Sequence, residues 1–198
     1  EMALVYTRAM KNSHNFRSVP RLAVLFLFFS VAFSCMADDS DGEEKSGVLY
    51  FNPGNATYHG IQDGSVSLKD GLWEGEPYAE GGSSRPRAGL IPDFMVLGDI
   101  DEDGRQEAIV GLWWSSGGSG TFQYIALLER TETGVKNTFT APVGDRVRFE
   151  GGAIENGALM LDLIEHGPDE PACCPTQAVT RHYDSHLNLE STTPRNTE

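Results

Sequence analysis

At 198 residues the chain is long enough for one globular domain with a substantial core. Its 29 acidic and 15 basic side chains give a formal charge of −14. That balance excludes the basic stripe that nucleic-acid binding requires and disfavours adsorption to an anionic membrane surface. Apolar side chains make up 39% of the chain, too many for a wholly disordered polymer.

Residues 22–34 read LAVLFLFFSVAFS and follow Lys11, Arg17 and Arg21. A basic segment ahead of a short apolar core is the pattern of a secretory signal peptide, and such a run is too short to cross about 30 Å of hydrocarbon as a helix. Ala32-Phe33-Ser34-Cys35 resembles a bacterial lipobox, with Ala32 where Leu is usual. The resemblance implies cleavage before Cys35 and lipidation of that cysteine, with ordinary cleavage nearby, for example after Ala37, as the alternative. More than one acyl chain would anchor the protein firmly. Met36 rather than Asp after the cysteine implies the outer membrane by the same resemblance. The chain opens with Glu1, and Met10-Lys11 makes a natural start, so residues 1–9 are expected to lie upstream of the true initiator. The expected plan is therefore a signal peptide over 1–34, a lipidated, acidic tether over 35–53, a β-rich domain over 54–190 and a disordered tail over 191–198.

All 22 glycines lie beyond residue 34, which predicts many tight turns. Phe94–Leu97 reads as a strand, and the acidic segment Asp99-Ile-Asp101-Glu-Asp103-Gly-Arg-Gln-Glu107 follows it. Carboxylates at alternate positions converge when such a segment curls, Gly104 permits the sharp turn, and the carbonyl of Arg105 can add an oxygen. Hard oxygen ligands of this kind suit Ca²⁺. The twelfth position is Val110 rather than the glutamate of an EF-hand, so Glu107 would have to close the shell. An acidic turn that binds nothing is the competing reading.

Residues 107–114 (EAIVGLWW) are nearly continuous apolar, as in a strand covered on both faces. Ser115–Gly120 should turn the chain into a partner strand over 121–128, with Phe122, Tyr124, Ala126 and Leu128 on one face. A helix over 123–132 is the less favoured alternative. No proline occurs between Pro92 and Pro142, which marks this stretch as the sheet centre. Arg146-Val147-Arg148-Phe149-Glu150 alternates as a half-buried strand does. Asn156-Gly157 signals a hairpin, and Leu159, Leu161 and Leu163 share one face of the strand after it. The fold class expected is mostly β, a single antiparallel β-rich domain with at most one or two short helices.

Cys173 and Cys174 are adjacent in His166-Gly-Pro-Asp-Glu-Pro-Ala-Cys-Cys-Pro-Thr-Gln177. In an oxidising compartment a vicinal disulfide is expected, against free thiols, an intermolecular bridge or a metal site with His166. A redox-sensing use of the pair is one alternative function. His182 and His186 have i, i+4 spacing, which alone does not make a metal site. Ser119 lacks the nucleophile-elbow context, and the glycines around it lack the Lys-Ser/Thr ending of a phosphate loop. Trp73, Trp113, Trp114 and Tyr124 either form a glycan-stacking platform or pack in the core.

Two resemblances gather these signals. The strand-flanked acidic loop resembles the calcium loops of FG-GAP-type β-propeller repeats, although it occurs here once. Asn55-Ala-Thr-Tyr58, GLWEGEPYAEGGSSRP over 71–86, GDIDEDGRQEAIVGLWWSSGGSGTFQYIAL over 98–127, Gly144-Asp-Arg-Val147 and HGPDEPACCPTQ over 166–177 together resemble a domain of bacterial envelope lipoproteins that often precedes a META (heat-shock-J-like) domain. This implies an envelope protein of uncharacterised activity, with the acidic loop and the cysteine pair as parts of the domain's pattern. The expected function is a non-enzymatic binding or envelope-maintenance module held to the membrane by lipid, with a protein or glycan partner. An envelope enzyme acting on glycan is the other alternative.

Overall fold

The computed structural model describes residues 51–171 and 173–196. The expected signal peptide, Cys35 and most of the tether lie outside the described residues. The fold is antiparallel β, as expected, and its one helical element among the described residues is a 3₁₀ turn at Pro53–Asn55.

Three sheets make the domain. A hairpin pairs β1 (Thr57–Ile61) with β2 (Gly64–Ser67). A five-stranded sheet runs in chain order through β3 (Leu72–Glu74), β4 (Arg87–Gly98), β5 (Glu107–Ser115), β6 (Phe122–Thr131) and β7 (Gly134–Asp145). A four-stranded sheet follows, with β8 (Arg148–Glu155), β9 (Ala158–Glu165), β10 (Gln177–Tyr183) and β11 (Leu189–Pro194) also in chain order. Within both larger sheets each strand pairs with its sequence neighbour, which makes two antiparallel meanders, with tight turns at β6–β7 and β8–β9 and longer loops at β3–β4 and β9–β10.

The five-stranded sheet is covered on both faces, and the alternation of side chains decides which core each residue joins. Ile109, Ile125 and Leu127 point to the face packed by Leu159, Leu161, Leu163 and Val179 of the four-stranded sheet. Ala108, Val110, Leu112, Tyr124, Ala126 and Leu128 point to the other, under Tyr58, Ile61 and Val66 of the hairpin. This double cover accounts for the unbroken apolar run of β5. It also extends to β6, where Ile125 and Leu127 are as buried as Tyr124, Ala126 and Leu128, while Phe122 at the strand's start is exposed. Asn137 fastens the hairpin to the sheet: its carbonyl accepts the N–H of His59 at 2.9 Å, while its amide donates to the carbonyls of Leu127 and Phe139.

Prolines fall where a ladder tolerates them. Pro92 lies in the irregular stretch of β4 between Leu90 and Met95, and Pro142 lies on the edge strand β7. β5 and β6 occupy the middle of the sheet, as the absence of proline implied.

Two expectations are corrected. Residues 146–150 are not one strand: Arg146 has φ of +53° and turns the chain from one sheet to the other, and β8 starts at Arg148. The N–H of Val147 is satisfied at that corner by Gln123 Oε1, at 2.9 Å, rather than by a ladder. Residues 191–194, expected to begin a disordered tail, belong to β11. Their side chains are all exposed, so no hydrophobic alternation announced the strand; its backbone pairing with β10 makes it.

Candidate metal centre

The acidic segment links β4 to β5 at one end of the sandwich. Gly98 pairs with Glu107, so the ladder closes directly beneath the loop. Glu102 and Gly104 take φ of +60° and +87°, which folds the segment back on itself. Asp99 then caps the turn: its Oδ1 accepts the N–H of Asp103 at 3.1 Å and its Oδ2 that of Gly104 at 2.9 Å. Asp101 Oδ1 shares the Asp103 N–H. Glu107 is 4% exposed and its Oε2 accepts the N–H of Ile100 at 3.1 Å.

This geometry gathers three of the predicted ligands. Asp99, Asp101 and Glu107 each present a carboxylate oxygen, and these oxygens lie within 4.8 Å of one another. Burial, reinforced by the charges of Asp101, Asp103 and Asp99, pushes the Glu107 carboxyl above its usual range, against the lowering effect of the Ile100 N–H. A divalent cation would remove that conflict by supplying the missing positive charge. Asp103 is not among the convergent groups. Its Oδ1 accepts the N–H of Arg105 at 2.8 Å, and its Oδ2 takes the Arg105 Nε, also at 2.8 Å. That pairing holds the Asp103 carboxyl below the usual range, the side-chain hydrogen bond to Arg105 being the largest cause. The guanidinium two residues away thus competes for the carboxylate that the alternating pattern would assign to the ion.

A cavity of about 450 Å³ opens beside the loop, lined by Asp101, Arg105, Gln106, Glu107, Glu129 and Arg130. Glu129 and Arg130 escaped the sequence reading because only strand pairing brings them there. Ala108 lies opposite Leu128, so the next residues of each strand, Glu107 and Glu129, are neighbours across the ladder. Arg130 rests over the ring of Phe51, 4.3 Å from its centre.

The remaining candidates do not converge on this site. Trp113 and Trp114 are successive in β5 and face opposite sides; Trp114 and Trp73 pack against the hairpin-side core, and Tyr124 is buried there with its hydroxyl accepting from Gln62. Trp73, Trp114 and Tyr124 therefore share one face, and Trp113 lies on the other. His182 lies in β10 opposite Met160 and Ser191, whereas His186 sits in the following turn with its ring edge on Phe139. Neither joins a group of three potential metal ligands among the described residues. Cys173 and Cys174 are bonded to each other at the tip of the loop from β9 to β10.

No family model matches the chain, and neither a curated protein nor a solved structure does.

Proposed function

We propose that this chain is a lipid-anchored envelope protein whose β-sandwich is a non-enzymatic binding or envelope-maintenance module carrying a structural Ca²⁺. The observation that carries the metal reading is the convergence of Asp99, Asp101 and Glu107, one of them buried, on a common point. The Arg105 carbonyl completes the shell, and Asp103 joins it by releasing Arg105. The ion's work is structural: it joins the ends of β4 and β5 and neutralises Glu107. The anchor rests on the signal-like run 22–34 and on Cys35, and the envelope setting on the resemblance of the five ordered motifs to the lipoprotein domain that often precedes META domains.

Thermal unfolding of the full chain with excess Ca²⁺ and with chelator tests the metal. At about 100 times Kd the ion should add about 2.7 kcal/mol, several degrees of Tm for a domain of this size. Asp101→Asn should lose that response. A Tm indifferent to Ca²⁺ in a well-folded protein would reduce the loop to an acidic turn. Incorporation of labelled palmitate in a bacterial host, abolished by Cys35→Ser, tests the anchor.

A further inference from the structure

The cysteine pair has no part in the metal reading and stands apart from it. Cys173 and Cys174 are both exposed, and the one other cysteine in the sequence is Cys35. A bridge between adjacent residues closes almost no loop, so it removes little freedom from the unfolded chain and stabilises the fold little. Other groups hold this segment. The Glu170 carboxylate accepts the N–H groups of Gly167 at 3.1 Å and Thr176 at 2.9 Å, and also the Thr176 hydroxyl. The ladder of β9 and β10 begins just beyond, with Glu165 opposite Gln177. The cysteines lie inside the segment that Glu170 pins at both ends, in a turn where the Cys174 N–H donates to the Pro171 carbonyl at 3.2 Å. Adjacency itself sets their Cα atoms 3.8 Å apart, short of the ~4.4–6.8 Å of ordinary disulfides, and a departure from that range makes a bridge easier to reduce. An exposed bridge that the fold does not need, on a loop braced without it, is suited to exchange.

We propose that Cys173–Cys174 is a reversible exchange site for a dithiol reductant. One thiolate of the reductant attacks a cysteine sulfur. The S–S bond between the cysteines breaks, a mixed disulfide forms, and the second cysteine leaves as a thiolate that takes up a proton. The reductant's other thiolate then attacks its own sulfur in the mixed disulfide, freeing the first cysteine, which is protonated in turn. Two electrons and two protons reach the cysteines, and the reductant departs as an intramolecular disulfide. The Glu170 brace and the ladder below it persist in both states, so the change is confined to the tip of the loop.

The test uses the full chain carrying Cys35→Ser, so that two cysteines remain, with dithiothreitol as the dithiol. Under native conditions N-ethylmaleimide should add no group before brief reduction and two groups after it. The Tm should move by less than about 2 °C between the two forms, below what a loss of 1 kcal/mol produces. Cys173→Ser/Cys174→Ser should fold with the Tm of the reduced protein. Alkylation before reduction would overturn the proposal by showing that no bridge forms. Reduction only in denaturant would overturn it by showing that the bridge is inaccessible. A large fall in Tm on reduction, or a double variant unable to fold, would make the bridge a structural brace and overturn it equally.

Discussion

At the scale of single residues, two carboxylates pull in opposite directions. Glu107 is a buried acid beside other acids, so in the ion-free protein its charge opposes folding. Glu107→Gln keeps an oxygen for the Ile100 N–H and removes the charge. In chelator its Tm should equal or exceed that of the parent, and the rise with Ca²⁺, about 2.7 kcal/mol at 100 times Kd, should vanish; differential scanning calorimetry reads both. Glu170 is the reverse case. Its hydrogen bonds with the Thr176 hydroxyl, the Gly167 N–H and the Thr176 N–H hold its carboxyl below the usual range. A carboxyl lowered on folding contributes stability that is complete above its unfolded pKa and is lost as pH falls through the folded one. Hydrogen exchange at Gly167 and Thr176 should therefore quicken as pH drops through that window, after correction for the intrinsic rate. Glu170→Gln, with one acceptor oxygen in place of two, should show faster exchange at neutral pH and no such step. Asp99, Asp101 and Glu107 were legible as a group because their spacing survives folding into a curled loop. The diversion of Asp103 to Arg105 was not, since spacing does not say which of two partners a carboxylate takes.

At the scale of elements, turns with a demanding backbone were the readable ones. Asn156 and Gly157 take φ of +51° and +73° and join β8 to β9, the two-residue hairpin that the Asn-Gly pair specifies. A Cβ at Gly157 would meet only ordinary contacts, the nearest being the Ile100 carbonyl at 3.5 Å. The cost of Gly157→Ala is thus conformational rather than steric, about 1 kcal/mol, and urea denaturation should show a lower midpoint at unchanged slope. β5, β6 and β9 were equally legible, because burial on one or both faces writes itself into the apolar pattern. β1 and β2 were not read as a hairpin, since Gln62 and Asp63 make the turn with φ of +48° and +58° and neither is glycine, which usually holds the second position of such a turn. β11 left no pattern at all: an exposed edge strand is held by its backbone, which every sequence shares.

At the scale of the whole molecule, the sandwich depends on how closely its layers approach, and glycine sets that distance at the centre. Gly111 lies in mid β5, facing the four-stranded sheet, and a Cβ there would sit 2.8 Å from Cε2 of Phe149 and 3.0 Å from Cδ1 of Ile91. Phe149 in turn packs edge-on against Phe94, with ring centres 4.7 Å apart, so its ring has a neighbour to push against rather than open solvent. Periodicity identified this glycine only as a gap in an apolar run; that the gap receives an aromatic ring from the other sheet depends on contacts far apart in sequence. Gly111→Ala should cost about 1–3 kcal/mol by overpacking. Phe149→Leu alone should also destabilise, by loss of ring contacts with Phe94. The two together should be less destabilising than their sum, because the smaller side chain vacates the space the new methyl needs. Equilibrium denaturation of both single variants and the double variant measures that coupling. A coupling of 0.5 kcal/mol or more in this direction would establish that the layers meet through Gly111 and Phe149. Strict additivity would mean that the sheets adjust around the methyl elsewhere, and that their spacing is set by the leucines of β9 instead.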